Sequence, residues 1–412
     1  MLLTSTIMGT SVSAAESDEI LIPQIIELKG GKDTNNMFLD RDVYGQLYPY
    51  SYYFYKDNAK ECYIRLYNAL YSMQSEVDIS DLSVSYDTII EIINDLHFDV
   101  PDFYYLDMNN VLCDATSYAI TKITVAEKVY FGYLFTREEV KEYSKYMRGI
   151  ARIVKNNCPV DISDYSKIVY INDFLCSNIE YNWLSYYASQ EYRDNGFVSE
   201  DLKVYLTDLQ SEIDASILGA FVKKTCVCSG YSDAFVYLCR YFDIMSAKVS
   251  LSAIDSTNNF GHSEACVYCD NIWMYVDVTN NDTDDDLNFT HKYIGSYIDT
   301  EKYTIDTEYR TPKISTLKNN WWYRGKNVFY LKEESVSEEK VFSVLDYIIQ
   351  KSKDNKYYQL TLYCKNTEIQ EYFMNCFNSD SDYWLSILVK YGITNIEAES
   401  IDSTTIEIKF RC

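Results

Sequence analysis

The sequence predicts an α+β protein, and three observations carry that reading. Apolar residues recur at helical spacing through much of residues 40–155. A cysteine at a helix start is then followed by three short alternating strands that bear a histidine and an aspartate. Residues 325–412 alternate strand-like and helix-like patterns. At 412 residues the chain can form two or three ordinary domains with a sizeable core.

Composition narrows the class of protein. Lys+Arg 37 against Asp+Glu 62 gives a net charge of -25, which argues against nucleic acid as a partner. Hydrophobic residues at 47%, with only 5 Pro and 13 Gly, describe a globular chain that is neither disordered nor collagen-like. The 12 Cys are spread too thinly for a small disulfide-stapled scaffold, and the 42 Tyr are far above ordinary usage. Only three histidines occur, His97, His262 and His291, so any mechanism that needs imidazole must choose among them.

Residues 1–15, MLLTSTIMGTSVSAA, pair a short apolar run with small residues at Val12-Ser13-Ala14 and read as a signal peptide clipped at its basic start. No later stretch approaches the ~18 to 20 apolar residues of a membrane span. The expectation is a secreted or cell-surface protein in which disulfides are permitted but not required. Residues 16–160 are expected to form a mainly helical domain. Within it, 62–70 and 88–96 carry apolar residues at i, i+3, i+4 spacing, and Pro101 ends the second helix and turns 99–106 extended. Residues 129–135 alternate weakly as a strand, and Thr136-Arg137-Glu138-Glu139 reads as a capped start of the next helix.

The pattern sharpens over 161–310. Residues 164–179 form an amphipathic helix with Ile168, Ile171, Phe174 and Leu175 on its inner face. Residues 216–220 lead into Val227-Cys228-Ser229-Gly230-Tyr231, and a second helix carries Ala234, Phe235, Leu238 and Phe242. Strands are expected at 247–251, 263–269 and 272–278, with Asp270-Asn271 as a hairpin turn between the last two. In 325–412, strands at 327–331, 358–364 and 404–410 enclose a helix at 335–351 and two shorter ones, a small α/β module without an evident site.

The chemistry concentrates on Cys228, His262 and Asp277. A cysteine attacks as its thiolate, and a helix start lowers thiol pKa through the dipole and unsatisfied N–H groups. Gly230 permits close backbone approach at that turn. A nucleophile also needs a base, and the base needs an orienting group. His262 opens one strand and Asp277 closes the next, and a hairpin centred at 269.5 sets the two opposite each other.

This order resembles the transglutaminase-like family of the papain-like cysteine protease superfamily. The residues that carry the likeness are Val227-Cys228-Ser229-Gly230-Tyr231, Gly261-His262 and Tyr275-Val276-Asp277-Val278-Thr279, with the lead-in Ala215 to Phe221 and Asn178-Ile179-Glu180-Tyr181. The likeness covers about 164 to 300, and Val100-Pro101-Asp102-Phe103-Tyr104-Tyr105-Leu106 is similar to a segment preceding this core in exported bacterial members. The resemblance implies a helix bearing Cys228 packed on an antiparallel sheet bearing His262 and Asp277. It also implies roles: Cys228 as nucleophile, His262 as general base and acid, Asp277 as orienting carboxylate, and the Cys228 N–H in an oxyanion hole. Gly230, Tyr231 and Gly261 are the substrate-side candidates; neither a metal nor a cofactor is implied. Two departures stand out. Ser263-Glu264-Ala265 follows His262 where the family often has Ala-Trp-Asn, and Asn280 stands where a Trp often follows Asp-x-Thr.

Several readings remain open from residues alone. Cys226 and Cys228 with Cys266 and Cys269 suit a zinc site or a disulfide, although a three-residue offset sends two strand cysteines to opposite faces. The run Asn280 to Asp286 is a calcium loop without the EF-hand glycine and glutamate, or a solvated acidic loop. Residues 44–55, rich in Tyr, are a sugar- or peptide-binding surface or part of a core. His97 and His291 lack a partner set and read as structural. In function, a Cys-His-Asp enzyme acting on protein, peptide or cell-wall amides competes with a catalytically silent secreted scaffold. Hydrolysis and amine transfer use the same triad.

Overall fold

The computed structural model describes residues 40–42, 45–119, 122–158, 164–255, 261–269, 272–285, 288–290, 293–296, 298, 302–314, 327–331, 336–354, 359–379, 382–393, 395–400 and 405–411. It is a mixed α/β protein of helices and largely antiparallel sheets. The segment read as a signal peptide, the Asp270-Asn271 turn and His291 lie outside the described residues. No helix among the described residues is long and apolar enough to cross a membrane.

Helix α1 (Asp57–Tyr71) buries Cys62, Tyr63, Leu66, Tyr67 and Leu70, the i, i+3/i+4 stripe legible in its sequence. Strand β1 (Glu76–Asp78) leads to α2 (Tyr86–Asp99), whose N-cap Ser85 accepts the Thr88 N–H; Pro101 then opens a short 3-10 turn. The region is less helical than its sequence predicts. Leu106–Tyr118 (β2) and Ile123–Tyr133 (β3) form a long hairpin, and β1 completes an antiparallel sheet in the order β1-β3-β2. Strand β2 escapes pattern reading because most of it is exposed and carries Asn and Asp, so no buried face imposes alternation. Helix α3 (Arg137–Asn157) begins with the expected capping box: Glu139 N–H donates to Thr136 Oγ1, and Thr136 N–H to Glu139 Oε2 at 2.8 Å.

The tyrosine-rich stretch becomes core. Tyr48, Tyr52 and Tyr55 are buried, and the Tyr48 and Tyr52 rings stack 4.1 Å apart. Hydroxyls in and beside this stretch bond carboxylates: Tyr52 donates to Asp40, Tyr55 to Asp95, and Tyr67 to Asp42 at 2.7 Å. Phenol groups thus fill the volume of Phe while bonding carboxylates, those of Asp42 and Asp95 buried, which accounts for part of the tyrosine excess.

Helix α4 (Asp164–Asn178), β4 (Glu180–Tyr181), α5 (Trp183–Asn195), α6 (Asp208–Asp214) and β5 (Thr225–Cys226) lead to α7 (Cys228–Tyr241). Every residue of α7 from 230 to 240 is buried. It packs against β6 (Ser246–Ala253) and β7 (His262–Cys269), which continue through β8 (Ile272–Val276), α8 (Val278–Asn281), β9 (Asp282–Asp285), β10 (Asn288–Thr290), β11 (Ile294–Ser296) and β12 (Tyr303–Ile305). Five of these strands form one antiparallel sheet, ordered β11-β8-β7-β6-β12. One contiguous core runs from Tyr48 to Ile294 and joins the first helices to this sheet. Arg240 is the staple: it donates to Leu47 O, to Asp102 Oδ2 and to Tyr67 Oη at 3.2, 3.2 and 3.0 Å.

Strands β13 (Asn327–Leu331) and β14 (Gln359–Cys364) pair in parallel across α9 (Glu338–Asp354). Helices α10 (Thr367–Phe377) and α11 (Asp382–Tyr391) follow, then the antiparallel pair β15 (Asn395–Ser400) and β16 (Thr405–Arg411). This module has its own core. Its sheet does not stop at the expected boundary: the order β15-β16-β14-β13-β10-β9 recruits two strands from within 282–290. The acidic run is therefore helix and strand as far as Asp285 rather than a loop, because ladder pairing uses backbone groups and an edge strand tolerates charge.

Asp99 is fully buried, and one of its oxygens has no partner while the other accepts the Ser51 N–H at 3.0 Å. Burial, reinforced by nearby Asp95, pushes its carboxyl up to about 7. The folded chain thus holds a proton that the unfolded chain releases near pH ~4, so its contribution is fullest below that pH and lost as pH rises through about 7. Asp99→Asn is expected to gain more in Tm over wild type at pH 8 than at pH 4; equal differences at both pH values would contradict this.

Candidate active site

The approach to Cys228 is built by backbone pairing. Strands β4 and β5 pair in parallel, Asn182 N–H donates to Cys226 O at 2.9 Å, and Val227 N–H donates to Asp214 O at 2.9 Å. Lys224 turns the chain with a left-handed φ of 58. Cys228 is then the first residue of α7, where the leading N–H groups have no intrahelical acceptor. Gly230 is required for packing: a Cβ there would lie 2.6 Å from Cys226 Cβ and 2.9 Å from Ser216 O.

His262 opens β7, and Asp277 follows β8 as the N-cap of α8. With the ring protonated, His262 Nε2–H donates to Asp277 Oδ2 at 2.9 Å. The register differs from the expected one. Cys269 pairs with Ile272 and Ala265 with Val276, which centres the hairpin at 270.5 rather than 269.5. His262 therefore reaches Asp277 diagonally, and continuing the register sets Glu264 opposite Asp277. The sequence arithmetic assumed direct opposition, whereas the two residues 270 and 271 between the last pair shift it by two.

Asn280, read from sequence as lost aromatic bulk, has a positive role. Its backbone N–H donates to Asp277 Oδ1 at 3.0 Å and its side chain donates to Oδ2. The Asp277-x-x-Asn280 spacing, an N-cap with a polar third helical residue, is the sequence signal for this. Asn281, fully buried, ties the same turn to Asn172 and to the Tyr293 N–H.

Charge follows geometry. Burial alone would raise the Cys228 thiol, but its hydrogen bond to His262, the imidazolium charge and the Ser263 N–H outweigh this, and its pKa falls below the ordinary thiol value. Burial opposes protonation of His262; the charge and hydrogen bond of Asp277, together with Cys228, hold it well above the ordinary range. Both shifts run in the direction that favours a thiolate–imidazolium pair beside the Asp277 carboxylate. Cys226, in contrast, is pushed well up by burial.

A second carboxyl stands beside this set. Glu264 is 6% exposed, its Oε2 has no hydrogen-bond partner, and burial followed by the Asp277 charge pushes it up to about 8. One ligand-type atom from each of His262, Glu264 and Asp277 lies within 4.8 Å of the others. Both Asp277 oxygens are already bonded to His262 and Asn280, so this set is a poor cage for a metal ion. Tyr303 of β12 lies with its ring 5.8 Å from that of His262 and also lines an open cleft of about 1310 Å³ with Phe54, Tyr275, Ile298 and Ile314. Tyr181, which senses both Cys228 and Tyr303, contacts the half-exposed Trp183 at 4.8 Å between rings.

Three substrate-side candidates are distributed differently. Gly261 is exposed beside His262. Tyr231 is 0% exposed and donates to Ile179 O at 3.1 Å and to Asp282, so it is a core residue, not a substrate contact. Gly230 is likewise buried against Cys226 rather than open to a ligand. Packing explains both, since α7 is covered on all sides from its third residue onward. No disulfide joins the described cysteines. Cys266 and Cys269 face separate cores on opposite sides of β7, which separates them as partners for one ion. His97 lies on α2, where burial, then the charge of Lys248, depresses it to about 4. Sequence reasoning passed over Glu264 as a site residue, although its i+2 relation to His262 on a strand sets it on the same face.

No family model matches the chain, and no curated protein matches it. Among solved structures, similarity is found to a transglutaminase (TGase) with a TM-score of 0.28 and 11% identity, covering 57% of this chain and 58% of that one. It is also found to a candidate cysteine protease from Cytophaga hutchinsonii, with a TM-score of 0.23 and 14% identity, covering 42% and 62%. The chain thus spans less than two thirds of the length of either.

The packing at Gly230 is testable. Gly230→Ala is expected to cost about 1–3 kcal/mol by overpacking against Cys226. Gly149→Ala, on α3 with nothing within 4 Å of its added Cβ, is expected to be neutral or stabilising. Urea titration of both variants decides it, and equal stabilities would contradict the packing account.

Proposed function

We propose that the protein catalyses thiol-dependent acyl transfer or hydrolysis at an amide bond of a protein or peptide. One observation carries the reading: Cys228 opens a buried helix where its thiol and the His262 ring act on each other's charge, and that ring is hydrogen-bonded to Asp277 Oδ2 at 2.9 Å. The Cys228 thiolate adds to the amide carbonyl carbon, and the oxyanion takes hydrogen bonds from N–H groups of the first turn of α7. The C–N bond breaks as His262 gives its proton to the departing amine, leaving a thioester on Cys228. Water or a second amine then attacks the thioester, His262 takes the proton of that nucleophile, and the C–S bond breaks to release the acid or the new amide. Asp277 keeps the ring oriented through both half-reactions and favours its charged form before and after the proton is lent, and Asn280 holds Asp277. The cleft that shares Tyr303 is where the substrate chain is placed in this reading.

At pH 7, iodoacetamide is expected to label Cys228 at least about tenfold faster than any other cysteine, because among the described residues it alone has its thiol lowered by a histidine partner. His262→Ala is expected to slow that labelling by a similar factor. Wild type, but not Cys228→Ala, incubated with a peptide library and an added amine is expected to give cleaved, deamidated or amine-linked products by mass spectrometry. Uniform labelling together with unchanged peptides would overturn the enzyme reading in favour of a silent scaffold.

A further inference from the structure

Glu264 carries an inference that the triad does not. Burying a carboxylate without a cation is costly, and the structure gives this one little relief. The groups acting on it are named from each packed element: His262 and Cys266 on its own strand, Tyr275 from β8, Asp277 from the cap of α8, and Cys228 from α7. Asp99 of α2 lies beyond Cys266, and the residue opposite on β6 is the apolar Val249. Among the described residues, the one cationic group acting on Glu264 is the His262 ring. The strand pleat turns both side chains to one face, and the β7–β8 register, carried one residue past Ala265–Val276, sets Glu264 beside Asp277, with their carboxylate oxygens within 4.8 Å.

We propose that Glu264 is a positioning residue: a second, buried carboxyl across the ladder from Asp277 that shares the His262 ring and sets its charge state. The role rests on the Cys228–His262 reading above. Near neutral pH the carboxyl is protonated, so it adds no charge beside Cys228. Above about pH 8 it ionises, and its charge within 4.8 Å of the His262 nitrogen holds the imidazolium proton to higher pH. His262 thereby remains able to protonate a departing amine over a wider alkaline range, while the acid limb, set where Glu264 is neutral, stays in place.

The three histidines make this measurable in the intact chain by carbon-13 NMR of the ring Cε1–H groups, with His97→Gln and His291→Gln used for assignment. Glu264→Gln and the near-isosteric Glu264→Met are expected to lower the His262 midpoint by about one unit or more, a roughly tenfold loss of proton affinity. Glu264→Asp, which keeps the carboxyl, is expected to retain most of it. In the same variants, the acid limb of Cys228 alkylation is expected not to move. An unchanged midpoint in whichever neutral variant folds, or an equal fall in Glu264→Asp, would overturn the proposal. The outcome is separable from the enzyme reading: a shifted midpoint without preferential Cys228 labelling rejects that reading alone, and preferential labelling with a fixed midpoint rejects only the role of Glu264.

Discussion

Helix α7 is surrounded by protein from 230 to 240, and the rest of the site follows from that confinement. A helix packed on every side cannot rotate or slide without opening cavities or forcing clashes, since interiors are as dense as organic crystals. Its first residue is therefore held where the β4–β5 pair and the Asp214 carbonyl set it. Arg240 secures the other end by bonding the Leu47 carbonyl, Asp102 and Tyr67. The N-terminal helices are thus part of the support of the cysteine, joined to it by one continuous core rather than by a linker.

Against this fixed helix end, the sheet contributes a chain of charge. His262 lies between a thiol and a carboxylate that each favour its protonated form, and the short helix α8 presents Asn280 to the same carboxylate. Such a network gains most when every member is satisfied, because low local dielectric penalises orphaned groups as strongly as it rewards paired ones. Asp277 meets that condition with His262 and both donors of Asn280. Glu264 does not, and its retained proton is the physical consequence of being the second carboxyl at a site with one cation.

Much of the architecture was legible because burial imposes periodicity. The helices over 164–178 and 228–241, the strands over 246–253, 262–269 and 272–276, and the capping box at Thr136 each carry a local signature that a packed face enforces. The misses share one cause, the absence of such a face. Strand β2 is exposed along most of its length, and β9 runs through an acidic stretch at a sheet edge. Their pairing is made by backbone groups, which side-chain patterns do not record. The tyrosines were countable but not placeable: a phenol serves equally as a surface platform or as core, and only the carboxylates of Asp40, Asp42 and Asp95 beside them made it core.

By itself the sequence determined the order of the chemistry: a cysteine at a helix start, then a histidine and an aspartate on successive strands. That much is local, because residue type, helix entry and strand alternation are encoded within a few positions. Only the tertiary structure decided which residues meet. The hairpin register, shifted by two, made the His262–Asp277 contact diagonal and put Glu264 opposite Asp277. Packing around α7 turned Tyr231 and Gly230 inward, away from any ligand. Distances between strands and the dielectric around a buried group depend on contacts from elements far apart in the chain, and no window of sequence contains them.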